Sequence, residues 1–118
     1  MKQLTFVYNA DSGLFSSLND FAHKIISPST YSCNLCALTY GNFTMKTEWK
    51  DFIQQLPVIT TFLHKDEFEK QYQINVALPA VFIKDDLVTN QLISREEIDN
   101  CVSLKQLKNL ISSKLTLI

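Results

Sequence analysis

The sequence predicts a single three-layer α/β domain built on a mixed sheet of four strands. Its 118 residues match the commonest domain size, about 100–150 residues. Apolar, β-branched segments alternate along the chain with segments of helical period, a pattern typical of α/β proteins. Glycine occurs only twice, which argues against a turn-rich β-sandwich, and 46% hydrophobic residues are enough for an ordinary core. We therefore expect one domain over residues 1–118.

The N-terminal quarter predicts a strand followed by a helix. Residues 4–8 are almost continuously apolar, as in a strand buried on both faces. In the turn that follows, Asp11 or Ser12 can cap a helix. The helix is predicted over residues 13–26, where apolar residues recur on one stripe, and it ends before Pro28.

The middle of the chain predicts a cysteine-containing loop and then a helix, a strand and a crossover helix. Gly41 breaks the chain, Thr44 is the predicted cap of a helix over residues 45–55, and Pro57 follows its end. The β-branched residues 58–63 predict a second buried strand. A polar helix over residues 66–72 then crosses over in the right-handed sense.

The C-terminal part predicts a hairpin and two capped helices. Residues 80–83 form the third predicted strand, residues 84–86 a turn and residues 87–89 a fourth, antiparallel strand. Ser94 and Glu97 have the spacing of a capping box, and Ser103 and Gln106 repeat it at the start of the last helix. The predicted buried stripe of that helix consists of Leu104, Leu107, Leu110 and Ile111.

Charge and hydropathy exclude several classes of partner. The net charge is −1 and the basic residues are scattered, so no footprint for nucleic acid or an anionic membrane surface is visible. No apolar run approaches the roughly 18 residues of a membrane span, and the first apolar segment ends too early for a signal peptide. We expect a cytoplasmic protein, with thiols kept reduced. Three cysteines, an odd number, also fit poorly with a secreted disulfide framework.

The candidate chemistry lies in a Cys-x-x-Cys pair, Cys33 and Cys36. Two thiols at this spacing can close a redox disulfide, supply half of a metal site, or simply be small buried residues. A helix beginning at Cys33 would favour redox chemistry, because its unpaired N–H groups stabilise a thiolate. Zinc would need further ligands, and Cys101, His23 and His64 are the only other soft candidates. The third alternative is a non-catalytic binding module, and the residues alone leave all three open.

A resemblance to the thioredoxin fold adds to this interpretation. From residue 58 onward the order of strand, crossover helix, proline-led strand, hairpin partner and closing helix resembles that fold. Residues 78–83 resemble the stretch of thioredoxins and glutaredoxins in which a cis proline precedes a core strand and packs beside the redox cysteines. Residues 8–13 and 33–41 also resemble a set of small bacterial proteins.

The resemblance implies a mixed four-stranded sheet with helices on both faces, extended here by an N-terminal helix before the cysteine pair. It implies thiol–disulfide redox activity in which Cys33 is the nucleophile, Cys36 resolves the intermediate and Pro79 positions the substrate. The implied partner is a protein or a small thiol, with no cofactor. We expect the two sulfurs to face outward beside Pro79. Zinc at the pair is the alternative, and the oligomeric state stays open.

Overall fold

The computed structural model describes residues 2–10, 33–40 and 45–117. Within these ranges one sheet contains four strands, in the order β2-β1-β3-β4. The strands are β1 Lys2–Val7, β2 Ile59–Leu63, β3 Ala80–Asp85 and β4 Val88–Ile93. β1 runs parallel to β2 and antiparallel to β3, and β3 runs antiparallel to β4. The predicted α/β class, the mixed sheet and the closing hairpin are confirmed.

Five helices accompany the sheet in the described ranges: α1 Asn34–Thr39, α2 Thr47–Gln55, α3 Lys65–Gln71, α4 Arg95–Asp99 and α5 Leu104–Thr116. The helix predicted over residues 13–26 lies outside the described residues. None of the helices described is long and apolar enough to cross a membrane.

Two helix starts differ from the prediction. The cysteine segment is not a loop, because α1 begins directly after Cys33. The helix predicted from residue 45 begins at Thr47 with Lys46 as its N-cap. Met45 is instead held by an isolated antiparallel bridge to Tyr40, which delays the start of the helix.

The β3–β4 hairpin is longer than predicted. Its turn is centred on Asp86, whose φ of 57° lies in the left-handed region that aspartate tolerates. The fourth strand does not stop at residue 89, because the polar residues Asn90 and Gln91 continue the pairing with β3. Both side chains are exposed on the outermost strand, so hydropathy gave no sign of them.

The helix caps of the C-terminal part are partly as predicted. The capping box of Ser94 and Glu97 at the start of α4 is confirmed. At α5 the Ser103 hydroxyl accepts from the Gln106 N–H. The Gln106 side chain, however, accepts from the N–H of Val102 instead of closing the second box.

The core divides into two clusters on opposite faces of the sheet, because side chains alternate along a strand. Leu4 and Phe6 of β1 belong to the first cluster, whereas Val7 belongs to the second. The first cluster also takes buried side chains from α1, α2, α4 and α5, and the second takes Phe68 from α3. β1 is therefore covered on both sides, as its continuous apolar sequence predicts.

Trp49 is the largest side chain of the first cluster and is fully buried. Its ring meets Phe6 edge to face at 5.5 Å between centroids and stacks against Phe52 at 5.8 Å. These contacts attach α2 to the central strand.

We predict that Trp49→Ala lowers the free energy of unfolding by about 3–5 kcal/mol, because it leaves a large cavity against β1. Urea denaturation measures the change. Val102→Ala is the control, since Val102 is 80% exposed, and it should change stability by less than about 0.5 kcal/mol. Similar losses in both variants would contradict the role given to Trp49.

Candidate functional site

The cysteine pair lies at the start of α1, where Cys33 is the N-cap residue. Cys33 and Cys36 form a disulfide with a Cα–Cα separation of 5.3 Å, within the normal range for such a bond. The backbone N–H of Cys36 donates to the Sγ of Cys33 at 3.3 Å. A sulfur therefore occupies the place in which a serine or aspartate oxygen caps most helices.

Both cysteines are buried, with exposed fractions of 5% for Cys33 and 0% for Cys36. They belong to the first core cluster, together with Tyr8 and Trp49. The expectation that the pair faces outward is therefore not met. The physical reason is the amphipathic character of α1, which presents Leu35 and Cys36 to the core.

Asn34, inside the cysteine motif, joins α1 to the end of α4. Its Nδ2 donates to the carbonyl oxygens of Ile98 at 2.8 Å and Cys101 at 3.0 Å. The first residue of α1 is thereby fixed both to α4, through Ile98, and to the connection that follows it, through Cys101. Sequence reasoning gave Asn34 no structural role, because its partners lie more than 60 positions away.

Pro79 lies immediately before β3 and is buried. The Leu78–Pro79 peptide bond is cis. The next residue, Ala80, pairs with Val7 at the end of β1. The predicted position of Pro79 beside the cysteine pair stays a prediction.

Two tyrosines that sequence reasoning passed over lie near this edge of the sheet. Tyr8 directly follows β1, and its ring centroid is 5.8 Å from that of Tyr40, at the end of α1. Burial raises the pKa of Tyr40, and a hydrogen bond with Tyr8 partly offsets the increase. The sequence feature that could have identified Tyr8 is its position directly after a parallel strand, where functional sites in α/β proteins often lie.

His64 follows β2 and begins α3 as its N-cap. The Glu67 carboxylate accepts from the His64 backbone N–H at 2.8 Å and lies 2.6 Å from Nδ1 of the same residue. The hydrogen bond from the backbone N–H, followed by that from the ring, lowers the pKa of Glu67. His64 therefore has a local role in starting α3.

Cys101 is buried and reduced, as predicted for a core residue. Its thiol donates to the carbonyl oxygen of Glu97 at 3.6 Å. Burial and the nearby Glu97 carboxylate raise the pKa of this thiol, which makes it a poor nucleophile near neutral pH.

The part of the chain that the structure describes contains no group of three or more histidine, cysteine or acidic residues placed to hold a metal ion. Of the weak zinc candidates, Cys33 and Cys36 are bonded to each other, and His64 contacts Glu67. His23 lies outside the described residues. A zinc site at the pair would need ligands from elsewhere.

We predict that Asn34→Ala costs about 1–2 kcal/mol of unfolding free energy, because two partly buried hydrogen bonds are lost. Asn34→Asp should cost at least as much, since a carboxylate keeps the shape but cannot donate to the two carbonyls. Asn90→Ala on β4 is the control and should be nearly neutral, because Asn90 is exposed. Full stability of Asn34→Asp in urea denaturation would refute this role for Asn34.

The lowered pKa of Glu67 predicts a specific pH dependence of stability. A depressed carboxyl pKa contributes stability that is present above the unfolded-state value and is lost as pH falls through the folded-state value. The stability advantage of the wild type over Glu67→Gln should therefore shrink between about pH 6 and about pH 3. Urea midpoints at several pH values test this, and Glu69→Gln, an exposed position on the same helix, supplies the baseline. A difference independent of pH would contradict it.

The comparisons with known proteins add no relative. A scan against protein-family models and searches of curated proteins and of solved structures returned no significant match.

Proposed function

We propose that this chain is a thioredoxin-like protein that exchanges electrons between its Cys33–Cys36 pair and a thiol partner. The observation that carries the proposal is the hydrogen bond from the Cys36 N–H to the Cys33 sulfur at 3.3 Å. In the reduced protein the same N–H would stabilise a thiolate on Cys33, which is the form that reacts.

The order of elements supports the thioredoxin-like part of the proposal. β2, the crossover helix α3, the proline-led strand β3, its hairpin partner β4 and a closing helix follow one another as the resemblance implies. The sheet order β2-β1-β3-β4 puts the parallel pair on one side and the hairpin on the other. Two apolar clusters on opposite faces fit a three-layer arrangement.

The proposed reaction begins with attack by a partner thiolate on the Cys33 sulfur. A mixed disulfide forms between the partner and Cys33, the Cys33–Cys36 bond breaks, and Cys36 leaves as a thiolate that takes up a proton. A second thiolate of the partner then attacks the partner's own sulfur. The partner leaves oxidised, and both cysteines of the chain are reduced. The reverse sequence reduces a disulfide of the partner.

Burial decides which sulfur is attacked in this scheme. Cys36 is fully buried, whereas Cys33 retains 5% exposure. Attack on Cys33 leaves Cys36 as the resolving thiol, in agreement with the roles that the resemblance implies. Pro79, immediately before β3, is the proposed surface against which a protein or small-thiol partner is positioned. The proposed compartment is the cytosol.

A second candidate is a non-catalytic binding module in which the pair fastens the start of α1. The near-complete burial of both cysteines favours this candidate, because reactive cysteines are usually partly exposed. Zinc at the reduced pair is a variant of it and would need ligands from a second chain or from outside the described residues.

We expect the purified protein to turn over a small disulfide substrate with dithiothreitol as reductant, and Cys33→Ser to abolish that turnover. Cys36→Ser should trap a mixed disulfide on Cys33, detectable as a mass increase, because the resolving thiol is missing. Cys101→Ser is the matched control and should retain turnover, since Cys101 lies outside the pair.

Turnover that survives Cys33→Ser would refute the proposed mechanism. A stable Cys33–Cys36 disulfide without turnover would instead refute the redox proposal and favour the binding module. Stoichiometric zinc in the reduced protein, released by a chelator with loss of stability, would establish the metal variant.

A further inference from the structure

The outer edge of β4 has a composition that edge strands usually avoid. Among the described residues, β4 is the outermost strand on the hairpin side of the sheet. It contains no charged residue and no proline, although charged side chains and proline commonly protect an edge from pairing with another chain. Beside it, Leu87 of the turn is 96% exposed, and Val88 is 58% exposed. The edge therefore combines an unprotected backbone with exposed apolar side chains.

The hairpin geometry determines which backbone groups of β4 point away from β3. Asp85 and Val88 pair on either side of a turn of two residues. Such a closing pair exchanges hydrogen bonds, and hydrogen-bonded pairs then alternate with non-hydrogen-bonded pairs along the ladder. The N–H and C=O groups of Val88 and Asn90 therefore point toward β3. Those of Thr89 and Gln91 point outward, and in the described ranges neither residue has a backbone–backbone hydrogen bond to a residue outside the hairpin.

These outward groups are spaced so that β4 can pair with a second copy of itself. An antiparallel alignment with its twofold axis at Asn90 places Thr89 of one copy opposite Gln91 of the other. Each such pair exchanges both of its backbone hydrogen bonds, and the symmetry repeats the pair on the other side of the axis. The two Asn90 side chains, both exposed, then face each other, and an amide can both donate to and accept from its copy.

The neighbouring side chains favour the same antiparallel alignment. Val88 of one copy comes beside the half-buried Leu92 of the other, so an exposed apolar side chain gains an apolar neighbour. The two acidic turns, which contain Asp85 and Asp86, lie at opposite ends of the interface. Parallel pairing would instead bring these like charges together.

A β-bulge limits the length of the interface. Gln91 and Ile93 pair with consecutive residues of β3, so Leu92 is an extra residue in β4. The regular part of the edge therefore ends at Gln91. A ladder this short belongs to the class of weak interfaces that bury less than about 1,200 Å² in total.

We propose that this chain forms a weak symmetric dimer by antiparallel pairing of two β4 strands, centred on Asn90. The two sheets are joined edge to edge into one continuous sheet. A second copy fits this edge because its outward groups, its apolar residues and its central amide all match their own symmetry mates. The association does not depend on cysteine chemistry.

Sedimentation velocity of the full chain between about 10 μM and about 1 mM tests the dimer, a range suited to weak association. The mean sedimentation coefficient should rise with concentration. Asn90→Lys should weaken association about three- to fivefold, because two like charges meet at the axis. Asn109→Lys is the matched control, an exposed asparagine on α5, and it should leave association unchanged. Circular dichroism checks that both variants are folded.

Cysteine cross-linking tests the register. Cα atoms of a non-hydrogen-bonded antiparallel pair lie about 4.5 Å apart, within the roughly 4.4–6.8 Å that a disulfide spans. Asn90→Cys should therefore cross-link two copies in a mild oxidant, as peptide mass mapping would show. Thr89→Cys should cross-link at least about fivefold more slowly, since its symmetry mate is two positions out of register and beyond about 7 Å.

Three results would each overturn the proposal. The first is a sedimentation coefficient of the wild type that does not change with concentration. The second is association that Asn90→Lys and Asn109→Lys affect equally. The third is equal cross-linking through positions 89 and 90, which would indicate random collisions or another register.

Discussion

The pairing of β1 with both β2 and β3 is the constraint on which the rest of the molecule depends. β1 is the one strand among those described that joins a parallel neighbour to an antiparallel one. Its core-facing residues are buried on both faces, so a helix-bearing layer is needed on each side. Because β1 and β2 are parallel, both end at the same edge of the sheet. Tyr8, His64 and the start of β3 meet at this edge, and Tyr40 at the end of α1 contacts Tyr8 there.

The larger elements could be predicted because their signals are local. A continuously apolar segment predicted β1 and a β-branched segment predicted β2, each to within two residues at either end, and the Ser94–Glu97 spacing predicted the start of α4. The start of α1 could not be predicted in this way. Its N-cap is a cysteine sulfur, which is not a usual helix-capping group, and its first residue is held by carbonyl groups distant in sequence. Tertiary contacts thus decided where the helix that carries the cysteine pair begins.

Burial of the cysteines was the other feature that sequence patterns did not show. A Cys-x-x-Cys pair has the same sequence spacing whether it faces solvent or the core. Which of the two it faces depends on the orientation of the helical turn that carries it. In this chain Leu35 lies between the two cysteines in sequence and is itself fully buried, so that turn faces the core.

The two hydrogen bonds donated by Asn34 have a consequence for the proposed disulfide exchange. They attach the first residue of α1 to the α4–α5 connection through an amide, a group that is unaffected by oxidation or reduction. In the proposed reaction the helix would therefore keep its anchorage when the sulfur–sulfur bond opens. The two thiols would then remain neighbours at a high effective concentration, so that ring closure would compete well against a second partner molecule.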